Sequence, residues 1–440
     1  MSGQAKRLSN YEPGDIPGIN VVGESLAKAV NKVSEQPGLM FNLNVQLLIY
    51  WVEQGVEVYR LYADGHTKIF FTRHKSLSGK MSGSERIGAG TGMVIVQQQD
   101  GLCLWLQMHQ INEHLGRPFI EDSLKVLNNI PNVEGSIPLI TDREGSAQAF
   151  SEEASELGLP LVTLLKPSCY HGLQDFMEDP ECPGYWKWVD PKKFNDGRRF
   201  KITNKQDGNL LIYSINYYDP DALPQIENWY KGRWNSNENP LRTLNQQLDF
   251  NVNTGQKVAW IDNPKQIDAK IKAKEKLPKL KVQLISATKK KPRKAHRIYE
   301  KQQKLVKLNK QIDKSKQILA KPLEKVAVKD TQADFFVSIF KNALLNTVLS
   351  LLMAIAWPAV NAQEAGFVIK AIIRRKGDVK VYYDRIELAL KPMHRKEQRL
   401  KQEKLIRQIN EQRYLTKDGK LIKLGLLSQR EKIPKNSSYG

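Results

Sequence analysis

From Val56 to Leu165 short apolar runs alternate with turn-forming residues, and this alternation restricts the fold more than any other feature of the chain. Val56–Ala63, His66–Thr72, Gly92–Gln98 and Leu102–Met108 read as strands, with Asp100-Gly101 as a hairpin turn between the last two. Phe119–Leu127 reads as a helix leading to a strand at Ile137–Thr141. Ser146–Leu157 carries the Ser and Glu of a helix start, and Leu159–Leu165 is a strand closed by Lys166-Pro167. Strands followed by a strand–helix–strand alternation predict an α/β layer with a mixed sheet.

This is the element order expected of an RNase H-like core, spanning residues 56–255. Ahead of it, residues 1–20 are polar and predicted disordered, and residues 21–55 hold helix-like stretches at Glu24–Glu35 and Leu43–Gln54. Residues 167–220 break the alternation and read as a β-rich insertion, with Arg199–Thr203 and Leu210–Tyr217 paired across a turn at Gln206-Asp207-Gly208-Asn209. Leu223 to about Leu248 then reads as one helix, with Trp229, Trp234 and Leu241 as apolar contacts.

Residues 256–362 are a basic helical region. Ile298, Leu305, Ile312 and Leu319 recur every seven residues, a single apolar seam that predicts packing in a hairpin or on the core, with Phe335–Trp357 as its buried partner. Val368–Arg374, Lys376-Gly377-Asp378 and Val379–Leu390 carry a hairpin signature within residues 363–392, and residues 393–440 read as a loosely ordered basic tail.

The formal net charge is +21, and 22 Lys/Arg against 5 Asp/Glu between Lys265 and Lys329 account for +17 of it. Such a segment is either a solvated helix or a nucleic-acid-facing element. Cys103, Cys169 and Cys182 are too few and too scattered for a disulfide framework, which points to a reducing cytosol. The amino terminus lacks the apolar core of a signal peptide. Phe335–Val360 imitates a membrane span, but Lys341, Asn342 and Asn346 interrupt it. Thr347–Trp357 is shorter than the about 20 residues a bilayer needs, so a buried helix ended by Pro358 is expected.

Three acidic motifs carry the chemistry: Asp64-Gly65-His66, Asp142-Arg143-Glu144-Gly145, and Arg233-Trp234 with Glu238-Asn239. Two strand-end carboxylates and one on a helix suit a pair of Mg2+ ions about 3.5–4 Å apart, because hard cations prefer oxygen ligands. These words resemble the motifs of bacterial insertion-sequence transposases of the DDE class. The likeness runs over about residues 56–392 and takes in Asn251-Val252-Asn253-Thr254-Gly255, Asn263-Pro264 and Lys376-Gly377-Asp378.

The resemblance implies an RNase H-like mixed sheet flanked by helices, a β-rich insertion before the catalytic helix, and a basic helical carboxyl-terminal region. It implies a DNA transposase performing two-metal-ion strand cleavage and strand transfer, with Asp64, Asp142 and Glu238 holding two Mg2+ ions, or Mn2+ as substitute. The partners implied are double-stranded DNA, as transposon ends and target, and a second copy of the chain on that DNA. The location implied is the bacterial cytoplasm at the nucleoid, with no membrane. Arg143, Lys166, Arg233 and Trp234 are the candidate DNA contacts: phosphate contacts for the cations, base stacking or core packing for Trp234. His66 is read as a residue that orients a metal ligand, touches DNA or packs.

Tyr230 and Arg233 lie eight and five residues before Glu238, whereas the related tyrosine–arginine–glutamate signature places its Arg one residue closer. Arg233 is therefore read either as a phosphate contact or as a salt bridge orienting the helix. Such transposases usually carry a helix-turn-helix region ahead of the first Asp. The 63 residues before Asp64 hold no convincing counterpart, so a truncated or split enzyme with an intact triad is expected. The alternatives are a non-catalytic DNA-binding remnant of a transposase and a structure-selective nuclease on the same scaffold.

Overall fold

The computed structural model describes residues 23–70, 72–80, 86–111, 116–130, 137–190, 194, 197–204, 210–251, 257–289 and 295–427. The predicted disordered leader, the Gln206–Asn209 turn, the Val252–Gly255 motif and the chain end beyond 427 lie outside them. The chain forms two compact units. One comprises the chain up to Lys68, Gly92–Gly255 and the chain from Thr331; the other comprises Ile69–Thr91 and Gln256–Asp330.

The first unit opens with helices α1 (Gly23–Ser34) and α2 (Leu39–Glu53). Strand β1 (Leu61–Ile69) follows, and after the short β2 (Ser78–Lys80) of the second unit come β3 (Ile87–Gln98) and β4 (Cys103–Gln110). Then come α3 (Gly116–Asn129), β5 (Leu139–Thr141), α4 (Gln148–Glu156) and β6 (Leu161–Leu164). Four more strands, β7 (Phe176–Glu178), β8 (Trp186–Trp188), β9 (Arg199–Asn204) and β10 (Leu210–Ile215), complete a mixed sheet ordered β4-β3-β1-β5-β6-β10-β9-β8-β7. Strands β1, β5 and β6 run parallel, and β6 through β7 pair antiparallel. A large mixed sheet flanked by helices, in this order, is compatible with an RNase H-like fold. The segment read as an insertion thus continues the same sheet.

Both faces of the sheet are buried. Met93 and Ile95 of β3 join one apolar cluster while Val94 and Val96 join another. In β1, Leu61 and Ala63 face one side and Tyr62 the other. Strands covered on both faces read as continuous apolar runs, as this stretch does.

One sequence expectation is corrected here. The predicted strands Val56–Ala63 and His66–Thr72 are in fact one strand, β1, which starts only at Leu61. Asp64-Gly65 reads as a turn in isolation, but β1 runs on through it as one strand, paired to β5 up to Ala63 and flanked by β3 on its other side.

Beyond the sheet lie α5 (Ile226–Arg233) and α6 (Asn239–Leu248), separated by one π turn, Trp234–Glu238. In the second unit, β11 (Val258–Asp262) and helices α7 (Pro264–Lys289) and α8 (Ala295–Ala320) precede β12 (Lys325–Lys329), which pairs with β11. The apolar seam of α8 packs on α7: Leu305, Leu308 and Ile312 meet Leu277, Leu280, Leu284 and Ala287. The expected partner, Phe335–Trp357, belongs to the first unit.

That segment is α9 (Gln332–Ala354), in the first unit. Among the described residues it alone is long and apolar enough to cross a membrane, and half of its most apolar stretch is buried. Lys341, Asn342 and Asn346 each donate to a backbone carbonyl inside the unit. Asn346 accepts from the Cys103 N–H (2.9 Å) and donates to the Cys103 carbonyl (2.8 Å). From α2, Asn44 treats Leu106 the same way, at 3.3 and 2.9 Å. A carboxamide has the donor and acceptor of a peptide group, so both side chains satisfy β4 backbone as a strand would.

Two more expectations fail in the last hundred residues. Val368–Arg374, predicted as a strand, belongs to α10 (Ala362–Val368) and the π turn Ile369–Ile373, because Val368, Ile369 and Ala371 are buried in helical register among α6 and α9. The hairpin is instead β13 (Gly377–Val381) and β14 (Arg385–Leu390). The predicted tail forms α11 (Lys396–Glu411) and β15 (Leu421–Leu426), the latter parallel to β14. Leu405, Ile406 and Ile409 recur at helical spacing and enter the main core, which basic composition had masked.

Candidate active site

Parallel pairing of β1 and β5 aligns Leu61 with Leu139, Tyr62 with Ile140 and Ala63 with Thr141. The next residue along each chain is an aspartate: Asp64, still within β1, and Asp142, just past β5. Asp142 caps the short turn Arg143–Ser146, its Oδ1 accepting the Glu144 N–H at 2.8 Å. The Thr163 hydroxyl donates to the Asp142 carbonyl. Gly145 completes this turn because a Cβ there would lie 2.1 Å from Thr141 Oγ1.

The third carboxylate arrives by helix. The Tyr62 hydroxyl donates to the Trp229 carbonyl at 3.0 Å, and a Cβ on Gly232 would lie 3.1 Å from that hydroxyl, so α5 docks closely on β1. The π turn then seats on the β3–β4 hairpin: the buried Ser236 hydroxyl donates to the Gln99 carbonyl at 2.5 Å. Gly101, at φ +86°, makes the hairpin turn that a side chain would strain, and a Cβ there would lie 3.0 Å from Pro240 Cγ.

Glu238 ends the π turn, and Arg233 lies between it and Asp64. Its Nη2 is 3.2 Å from Glu238 Oε1 and 3.9 Å from Asp64 Oδ2. The Tyr230 ring stands 5.7 Å from the guanidinium carbon. Burial pushes the Asp64 carboxyl up to about 7; Arg233 opposes this, and the Asp142 and Glu238 charges add to it. Burial also works against the Arg233 charge, but the attraction of Asp64 and its neighbours outweighs it and raises the Arg233 pKa. Asp64, Asp142, Glu238 and Arg233 therefore share one electrostatic site.

The other candidates scatter. Arg143 is exposed on the turn after Asp142, close enough for its charge to act on Tyr230. Lys166 is exposed after β6, and no contact among the described residues joins it to the three acids. Trp234 is 56% exposed at the start of the π turn and joins no apolar cluster among the described residues. The His66 ring pairs with Asn251 Oδ1 and lies 6.2 Å from the Phe250 ring.

Sequence reading missed Lys68, two residues beyond His66 on the same face of β1. It is fully buried, 3.3 Å from Asp334 of α9 and 2.7 Å from Ser338 Oγ, with the Phe250 ring 4.4 Å away. The available signal was Asp334 and Ser338 four residues apart, on one face of a largely apolar helix.

Among the described residues no three His, Cys, Asp or Glu side chains close on a common metal position as they stand. The donor set nonetheless fits a hard divalent cation: the charges of Asp142 and Glu238, from two other elements, both act on Asp64, and a guanidinium bridges Asp64 and Glu238.

No family model matches the chain, and no curated protein matches it. Among solved structures it is similar to one titled "Crystal structure of the Mos1 mariner paired end complex with Mn", at 11% identity and a TM-score of 0.17. That match covers 36% of this chain and 46% of the other, so it spans about half of that neighbour's length, a likeness too slight to argue from.

Proposed function

We propose that this chain is a DDE-class enzyme of DNA strand cleavage and strand transfer, in which Asp64, Asp142 and Glu238 hold Mg2+, or Mn2+ in its place. One observation carries the reading. Asp64 and Asp142 follow the last paired residues of adjacent parallel central strands, and Glu238 is brought to them by a helix seated on the same sheet. Divalent ions bound there supply a Lewis acid for the attacking and the leaving oxygen of a phosphodiester.

The chain's own residues set the stage for that chemistry. The β1–β5 register fixes the two aspartates, which limits how far either carboxylate swings. The Ser236–Gln99 bond and the Tyr62–Trp229 bond fix the approach of Glu238. Arg233 offers a fork suited to phosphate oxygens, and the exposed Trp234 offers a face for an unpaired base. The duplex is held by sequence-independent phosphate contacts, for which the lysines of α7 and α8 are suited. Two DNA ends must meet for transfer, so the working form is a dimer on DNA.

The test is nicking of supercoiled plasmid with Mg2+ or Mn2+, wild type beside Asp142→Asn. Metal-dependent nicking that disappears in the variant supports the reading. Equal nicking by both proteins overturns the site. No nicking by either favours a DNA-binding protein that keeps the fold without the reaction.

A further inference from the structure

Among the described residues Arg233 is the cation that joins two of the three acids, and its contacts differ from those of a structural salt bridge. A single nitrogen, Nη2, reaches carboxylates on two elements, Asp64 of β1 and Glu238 of the π turn. The buried Nε has no hydrogen-bond partner among the described residues, so the guanidinium faces the acids without the two-pronged match it makes in its strongest pairs. The group is only 12% exposed, where charge interactions exceed those at a surface. It cannot lose its charge near neutral pH, so it leaves the carboxylates only by moving away.

We propose that Arg233 is a resident counter-ion of the site, pairing with Asp64 and Glu238 until a divalent cation displaces it. This rests on the reading of Asp64, Asp142 and Glu238 as metal ligands. The cation and the guanidinium compete for the same oxygens. A DNA phosphate, which takes up the freed fork, favours the exchange. Metal and DNA therefore strengthen each other's binding through Arg233, and by linkage the effect is reciprocal. The π turn contributes the arrangement, since it brings position 233 onto the face of position 238.

The experiment is Mn2+ titration of the full chain followed by electron paramagnetic resonance, without and with short duplex DNA. Arg233→Gln is expected to bind Mn2+ at least about tenfold tighter than wild type, the scale on which an adjacent opposite charge biases a carboxylate. Arg233→Met keeps an unbranched aliphatic stem without the charge and serves the same purpose if the Gln variant does not fold. Arg233→Lys retains the charge and should bind as weakly as wild type. Lys231→Gln, which removes an exposed cation paired to Glu227 on the same helix, should change nothing.

DNA should tighten Mn2+ binding in wild type and do so less in Arg233→Gln. If Arg233→Gln binds Mn2+ no more tightly than wild type while Asp142→Asn weakens binding, the counter-ion proposal is overturned and the metal site stands. If no protein in the series binds Mn2+, the metal reading falls and this proposal with it.

Discussion

Arg233 and Glu238 are five residues apart, yet Arg233 Nη2 lies 3.2 Å from Glu238 Oε1 because the turn between them is π and not α. Five residues make roughly 1.4 turns of α-helix, which would carry the two side chains to different faces. The wider turn absorbs one extra residue and restores the pairing that an α-helix gives at a spacing of four.

Lys68 and Asp334 form an ion pair that is 0% and 1% exposed. Removing one partner leaves a buried charge, so Lys68→Ala should cost roughly 3–5 kcal/mol in denaturant unfolding. Lys68→Met combined with Asp334→Leu should recover most of that loss. A single-variant cost below about 1 kcal/mol would show that the pair is already well solvated.

Gly145→Ala places a Cβ 2.1 Å from Thr141 Oγ1, in the turn that presents Asp142. Overpacking of this kind costs about 1–3 kcal/mol. Thr141→Ala removes the clashing oxygen, so a double-mutant cycle should show favourable coupling of about 1 kcal/mol or more. Purely additive effects would mean that the turn shifts to avoid the contact.

The Asp64 carboxyl, at about 7 chiefly through burial, sets a pH dependence for the metal-free fold. Between its ordinary value of 3.8 and about 7 the folded chain keeps a proton that the unfolded chain has released. Stability from this group is therefore lost as pH rises through that window and stays lost above it. Melting temperatures measured in chelator should fall with rising pH for wild type, and Asp64→Asn should flatten the decline. Equal slopes in the two proteins would assign the dependence to other groups.

Lys304, Lys307, Lys310 and Lys314 are exposed on α8. If they meet phosphates, each Lys→Gln change lowers the slope of log affinity against log salt by about 0.9 for duplex DNA. The affinity lost should be nearly the same for unrelated sequences. A four-lysine variant that keeps the wild-type slope would remove α8 from the DNA contact.

The acids were legible because carboxylates between apolar runs are visible chemistry, and the Asp100-Gly101 turn because its backbone demand selects glycine. The placement of Arg233 was not legible: whether a helix admits a π turn depends on Ser236 and Pro240 meeting the β3–β4 hairpin, a contact across more than a hundred residues. Val368–Arg374 was misread for a related reason, since β-branched residues favour strands locally but here fill a helical slot against α6 and α9. Lys68 drew no notice because its partner, Asp334, lies far along the chain.

Asn44 and Asn346 occupy backbone groups of β4 that a strand from another molecule would otherwise take. A bare sheet margin is a template for runaway strand addition, the route by which β-rich chains aggregate. Here the guards are two side chains supplied by helices, and one of those helices is made some 240 residues after the strand it protects. A nascent chain stalled before α9 emerges would expose that margin half-sealed. Until Asn346 is made, the Cys103 backbone groups lack the carboxamide that pairs them in the finished fold.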